Sequence, residues 1–466
     1  MKRYPTNGRV AAAAIAAALA LLSCGGEPPP RPNILLVSIE SLRADHVGCY
    51  GYGRPTTPNV DRLAREGTVY RHAFSQTSWT LTSHATLFTG LYPTAHGVIE
   101  PRHRLGDSYR TLAETLAERG YQCAGFASGP FLRTPYNLHQ GFEIWDDSPA
   151  APDQESAHAD ITNPRMEGLL TSFLEEDRDP NRPFFLFAYL WDVHYDFLPP
   201  PPFDTLFVPE DAEPIDATSF ETNPLIHPAM DSAALRWIVA QYDGEIRCTD
   251  ELLGRLWDRM RSLGLWENTV IVVTADHGEE FFEHGDKGHK KNLFVETLHV
   301  PLVVKWADGR PAASDDRLAG LLDLFPTLAR LGGGGPGDEP QGIDLNEPAR
   351  GPEDPLFHEL VTTFYGRGAA GRMEKRGEQW WAVRRGDYKL VSAPDRRMNL
   401  LFDAAADPRE LHPIETERPE LLERYLRLLA PWQSRMRAVA ERHGEAESVR
   451  LSEEERERLE ALGYVK

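Results

Sequence analysis

The stretch that most constrains this chain is residues 269–289, TVIVVTADHGEEFFEHGDKGH. Its start is apolar and β-branched and reads as a buried strand. The run stops at Thr274-Ala275, and Asp276, His277 and Gly278 follow with no spacer. Two residues able to ligate a metal are thus held rigidly at a strand end, the edge where open α/β sheets carry their sites. Further carboxylates and imidazoles come next: Glu279, Glu280, Glu283, His284, Asp286 and His289. An acidic surface loop after a core strand would look similar, so the reading depends on partners elsewhere in the chain.

Such partners exist. Residues 33–39 (NILLVSI) form a near-continuous apolar run ending at Glu40-Ser41, and residues 184–190 (FFLFAYL) run into Trp191-Asp192-Val193-His194. Uninterrupted apolar strands belong in parallel sheets covered on both faces. The fold class expected is α/β, a doubly wound and mostly parallel sheet flanked by helices. Within residues 75–90 (SQTSWTLTSHATLFTG), Thr80 precedes a helical spacing of Ala85, Leu87 and Phe88. Its hydroxyl then lies at a helix N-terminus, where backbone donors favour an anion, and a capping role is compatible with that position. A long amphipathic helix is expected over 235–263, carrying Tyr242-Asp243-Gly244-Glu245 early in it. A helix over 321–331 ends at the glycine run 332–335. Beyond it the texture changes. Strand-like pieces at 380–383 and 388–391, a helical stretch over 419–442 and a charged tail to 466 point to a smaller C-terminal α+β subdomain. The expected division is therefore a catalytic domain over 33–335 and a subdomain with a charged helical tail over 336–466.

The net charge of -21 argues against a nucleic-acid partner, since counterion release needs a basic face. An anionic substrate would need a metal or a few placed cations. At the N-terminus, Lys2, Arg3 and Arg9 precede an Ala/Leu run over 10–22 that is too short for a typical spanning helix. The sequence Leu21-Leu22-Ser23-Cys24-Gly25 resembles a bacterial lipobox. That resemblance implies a lipoprotein signal peptide over 1–23, lipid on Cys24, a stiff tether over 24–32, and a lipid-anchored protein of the bacterial cell envelope. Cys49, Cys123 and Cys248 show no paired spacing and read as buried thiols.

Glu40, Thr80, Asp276 and His277 make a coherent ligand set. Three oxygen donors and one imidazole suit one divalent ion, Zn or Mn ahead of Ca. A hydroxyl bound to such an ion loses its proton more readily, so Thr80 becomes a nucleophile near neutral pH. His194 and His289 could protonate a leaving oxygen or hold the non-bridging ones. A second metal at Asp192, His194 and His289 is an alternative use of the same groups.

With these residues in place, segments 33–52, 78–97, 184–196, 242–249 and 272–301 resemble the sulfatase family of the alkaline phosphatase superfamily. The blocks TADHGEE at 274–280 and His299-Val300-Pro301-Leu302 carry the resemblance most specifically. It implies an alkaline phosphatase-like core, a small C-terminal sheet, one divalent metal, and cleavage or transfer of sulfate or phosphate esters. Two departures matter. Sulfatases carry Cys (or Ser)-x-Pro-x-Arg, whose first residue becomes formylglycine; this chain has Thr80-Leu81-Thr82-Ser83-His84. Oxidation of a threonine gives a ketone, so no formylglycine is expected. Sulfatases also have Asp-Asp where this chain has Glu40-Ser41. The Glu, Thr, Asp, His set is instead similar to that of lipoteichoic acid synthases and lipid A phosphoethanolamine transferases. Those relatives carry transmembrane helices, whereas this chain shows a lipobox.

The reading is a metal-dependent hydrolase or transferase of phosphate or phosphonate (di)esters with a metal-bound Thr nucleophile. Its substrate would be an anionic ester of a glycan, a lipid or a small molecule. A sulfatase without formylglycine, and a non-catalytic binder of sulfated or phosphorylated glycans or lipids, are the alternatives.

Overall fold

The computed structural model describes residues 31–150, 161–194, 196–335, 337, 339, 341–367, 373–444 and 446–450. The segment expected to be a signal peptide, Cys24, most of the expected tether and the tail beyond 450 lie outside the described residues. No helix among the described residues is long and apolar enough to cross a membrane.

Eight strands form the main sheet: β1 (Asn33–Ile39), β2 (Thr68–Phe74), β3 (Gln122–Ala127), β4 (Ile144–Asp146), β5 (Phe184–Leu190), β6 (Thr269–Ala275), β7 (Leu302–Lys305) and β8 (Ala313–Gly320). Their order is β8-β2-β7-β6-β1-β5-β3-β4. Strand β7 runs antiparallel to both its neighbours, and the other pairings are parallel. Every residue of β1, β5 and β6 is buried, as expected for central strands covered on both faces. The edge strand β8 has the opposite texture, ASDDRLAG, with charges that blunt the edge.

The register decides where the site falls. Ile39 of β1 pairs with Ala275 of β6 on one side and with Leu190 of β5 on the other. Three neighbouring strands therefore end at one level, and Glu40, Asp276 and Trp191 emerge side by side.

Helix α1 (Thr80–Thr89) is buried along its whole length and ends at Gly90, whose φ of +68° closes it in the left-handed region. Helix α2 (Ser232–Ser262) is capped by Asp231. The Tyr242 to Glu245 segment of α2 anchors the loops around the site. The Tyr242 hydroxyl donates to Ser41 O at 2.8 Å and accepts from Arg43 N at 3.0 Å. The Asp243 carboxylate holds His46, Tyr52 and Arg54, each at 2.7 Å. Glu245 accepts from Leu198 N at 2.7 Å. The chain continues through α3 (Leu324–Leu331) to a four-stranded antiparallel meander: β9 (Leu356–Arg367), β10 (Met373–Arg385), β11 (Tyr388–Ala393) and β12 (Met398–Asp403). Helix α4 (Pro419–His443) locks this sheet to the main body, because Trp432 stacks on Phe357 at 4.6 Å and meets Tyr92 edge-on at 5.5 Å. Cys49, Cys123 and Cys248 are free thiols.

Candidate active site

Glu40 follows β1, Asp276 and His277 follow β6, and Thr80 is the first residue of α1. All four are buried. The Thr80 hydroxyl lies 3.3 Å from Glu40 Oε2 and 3.2 Å from His277 Nε2. His277 Nε2 is also 3.3 Å from Glu40 Oε1 and 3.5 Å from Asp276 Oδ2. The four residues read from the sequence thus converge on one point.

Local structure fixes each group. His277 Nδ1 donates to Gly278 O at 2.9 Å, which leaves a lone pair on Nε2 facing Thr80. Gly278 is required there, because a Cβ would sit 2.0 Å from the Glu296 carbonyl oxygen. One Asp276 oxygen accepts from Ser41 N at 3.1 Å and from His277 N at 2.9 Å. The other, Oδ2, is buried and receives no hydrogen bond. Glu40 accepts from Ser41 Oγ at 2.7 Å and from the Tyr189 hydroxyl. His84, one turn along α1, donates from Nδ1 to Thr80 O at 2.8 Å and accepts from Ser38 Oγ at 3.0 Å, tying the start of the helix to β1.

Burial, with Asp276 close by, raises the Glu40 carboxyl well above its ordinary range. Burial also lowers the His277 imidazole, which keeps it neutral. These are acids and imidazoles packed together, and among the described residues no lysine or arginine is paired to Glu40 or Asp276. A carboxylate pair in this state calls for a cation. Glu40, His277 and His289 each present a ligand atom within 4.8 Å of the other two, and the bare Asp276 Oδ2 adds a further donor. Two carboxylates, two imidazoles and a hydroxyl fit a divalent ion of the Zn or Mn kind.

His289 lies with its ring 4.4 Å from that of His277 and is buried, with its pKa pushed down by burial to about 4. His194 is stacked on Trp191 at 3.7 Å and stands 5.6 Å from His289, edge to face. Asp192 is drawn elsewhere. Its carboxylate accepts from Thr162 N at 2.8 Å, from the Thr162 hydroxyl and from Asn163 N at 2.7 Å, at the start of the helix Asn163–Ser172. The group around His289 is completed by Glu40 and His277, without Asp192.

The site roles of four contributors escaped the sequence reading, although Glu279 is named among the candidate carboxylates. Tyr189 sits inside an apolar strand and looked like core. His84 looked like part of a changed motif rather than a brace. Glu279 meets His289 Nδ1 at 3.2 Å. Lys290 is half-buried with its ammonium 4.1 Å over the Trp79 ring, and partial desolvation lowers its pKa to about 8. Only the last two sat in a stretch already rich in polar residues.

The family model described as Sulfatase matches residues 32–334. Among curated relatives, an ulvan-active sulfatase of Formosa agariphila is 24% identical over 404 residues, covering 82% of this chain and 76% of that protein. Among solved structures, a phosphonate monoester hydrolase of Agrobacterium radiobacter superimposes with a TM-score of 0.67 at 23% identity, covering 89% of this chain and 96% of that one. A structure solved in complex with its substrate D-glucosamine-2-N,6-O-disulfate gives a TM-score of 0.67 at 19% identity, covering 88% and 98%.

Proposed function

The chain belongs to the sulfatase family and is an enzyme acting on sulfuric or phosphoric esters, and on that premise we propose that it works on phosphate or phosphonate (di)esters through Thr80. The observation that carries the proposal is the Thr80 hydroxyl, held between Glu40 Oε2 and His277 Nε2 at 3.3 and 3.2 Å. In this reading Glu40, Thr80, Asp276 and His277 hold one divalent ion. When bound, that ion supplies positive charge that acidifies the Thr80 hydroxyl and polarises an ester oxygen.

The chain's own groups do the rest. Tyr189 and Ser41 orient the Glu40 carboxylate, and His84 fixes the turn that carries Thr80. Glu40 Oε2 is the acceptor toward which the Thr80 proton leaves. The open backbone donors at the start of α1 face the non-bridging oxygens. Lys290, lowered to about 8 by burial, adds positive charge beside them. His194 protonates the leaving oxygen, and His289 contacts the reacting group or the ion. The Thr80 oxygen forms a bond to phosphorus as the ester oxygen departs, and water or an acceptor alcohol then releases the covalent adduct.

Phosphorus is favoured over sulfur by the nucleophile. A threonine sulfate has no geminal hydroxyl from which to expel the sulfate, which is what a formylglycine hydrate provides. Thr80→Ala should abolish turnover of an aryl phosphodiester while the divalent metal stays bound. Full activity in that variant would sink the mechanism. A clear preference for aryl sulfate over aryl phosphodiester on one preparation would favour the sulfatase alternative. We also propose lipid anchoring at Cys24; Cys24→Ala should move the protein from the membrane to the soluble fraction, and unchanged membrane partition would refute it.

A further inference from the structure

Glu279 and His289 meet across a hairpin. Glu280–Phe281 pairs antiparallel with Lys287–Gly288, Glu280 opposite Gly288, so Glu279 and His289 are the next facing positions on the ladder. The turn is closed through left-handed residues, Phe282 at φ 71° and Gly285 at φ 91°. His289 Nδ1 lies 3.2 Å from Glu279 Oε2, and both side chains are buried. The Glu279 backbone is held from two sides. Gly278 is pressed against Glu296, and Arg43 Nη1 donates to Glu279 O at 2.9 Å. His289 also offers a ring nitrogen to the group formed with Glu40 and His277.

An imidazole is set by whichever nitrogen is engaged. A carboxylate at Nδ1 accepts its N–H and leaves a lone pair on Nε2. In that state Nε2 can bind a cation and, while neutral, cannot give a proton to a leaving group. His277 is held the same way by the Gly278 carbonyl. Resting on the reading of this site as a metal centre, we infer that Glu279 is a positioning residue that holds His289 in the Nδ1–H form and makes its Nε2 a further metal ligand. The leaving-group proton then falls to His194.

The test uses Co2+ added to the metal-stripped protein. Glu279→Gln should weaken Co2+ binding by about 10–100-fold and alter the visible d–d absorption band. His289→Ala should lose a similar factor, and the double variant should bind no more weakly than His289→Ala alone. Wild-type Co2+ affinity and spectrum in Glu279→Gln would overturn the inference. If the wild type binds Co2+ and Glu40→Gln abolishes that binding, the metal centre stands even when the Glu279 result fails. A wild type that binds no Co2+ overturns both. Should Glu279→Gln fail to fold, 15N-histidine spectra of the metal-free wild type above pH 8, where Glu279 is ionised, decide, with the signal assigned by its loss in His289→Ala. Protonation of His289 on Nδ1 is expected, and protonation on Nε2 refutes the inference.

Discussion

Two sets of buried acids lie in this fold and are handled in opposite ways. Glu410 and Asp323 each have a protein cation. Lys389 Nζ sits 2.8 Å from both Glu410 oxygens, and Arg350 forks onto Asp323 through two nitrogens at 2.5 Å. Glu40, Asp276 and Glu279 have neutral donors and imidazoles but, among the described residues, no paired lysine or arginine. An uncompensated carboxylate away from water is costly, and proteins keep one only where something else supplies the charge. The first set is closed by the chain itself and reads as structure. The second is left open and reads as a site for an external cation.

The contrast can be broken most decisively at the open set. Glu40→Gln should cut turnover by about 10²–10³-fold or more, the scale of losing one preorganised electrostatic contact. The metal-free protein should nevertheless melt no lower than wild type, since a buried charge has been removed. A fall in both activity and metal-free melting temperature would mean that Glu40 is structural, like Glu410. At the closed set the outcome inverts. Lys389→Met strands Glu410 and should cost about 3–5 kcal/mol in urea unfolding. Lys389→Met with Glu410→Gln should recover most of that loss, and failure to recover would show that the pair is not the unit.

A smaller effect is expected from pH. Burial raises the Glu279 carboxyl from 4.5 to about 8. The folded metal-free protein therefore holds a proton there that the unfolded chain gives up, and this contribution is lost as pH rises toward 8. His289, pushed from 6.5 to about 4, acts oppositely, because stability rises with pH through that lower range. Above about pH 6.5 the His289 term is complete and the raised carboxyls, Glu279 together with Glu40 and Glu280, dominate, so metal-free stability should fall between about pH 6.5 and 8. A saturating divalent ion should reduce the slope, as read by urea melts with and without chelator; a slope undiminished with metal bound would argue against a cation at this place. The smallest effect belongs to neither set. Arg427 pairs with Glu423 at 3.2 Å on an exposed face of α4, and Arg427→Ala should change stability by less than about 0.5 kcal/mol. A larger change in its denaturation curve would mean that surface charge weighs more here than the buried contrast allows.

The central strands were legible because burial on both faces leaves no alternation to misread, and each apolar run stops abruptly at its polar residue. Helix α2 was visible for its length and its stripe. The edges were not. Strand β8, ASDDRLAG, offers no apolar run to mark it, and β10 shows its apolar character only at 380–383 although the strand spans Met373–Arg385. Edge strands and two-sided surfaces carry charge for reasons that periodicity does not report. At the site, residues flush with a strand end announced themselves, whereas Tyr189, His84 and the Glu279–His289 pair depend on who faces whom. That facing is a property of the hairpin register and the sheet order, and neither is written in any single segment.

The level ending of β6, β1 and β5 has a kinetic side. Glu40 N donates to Leu190 O at 2.9 Å, so the amide that carries the proposed metal-binding acid is itself the last rung of the central ladder. Amides in such ladders exchange with deuterium only when the whole domain opens. Glu40 should therefore be among the slowest-exchanging positions of the chain, and thermal inactivation should track global unfolding instead of preceding it.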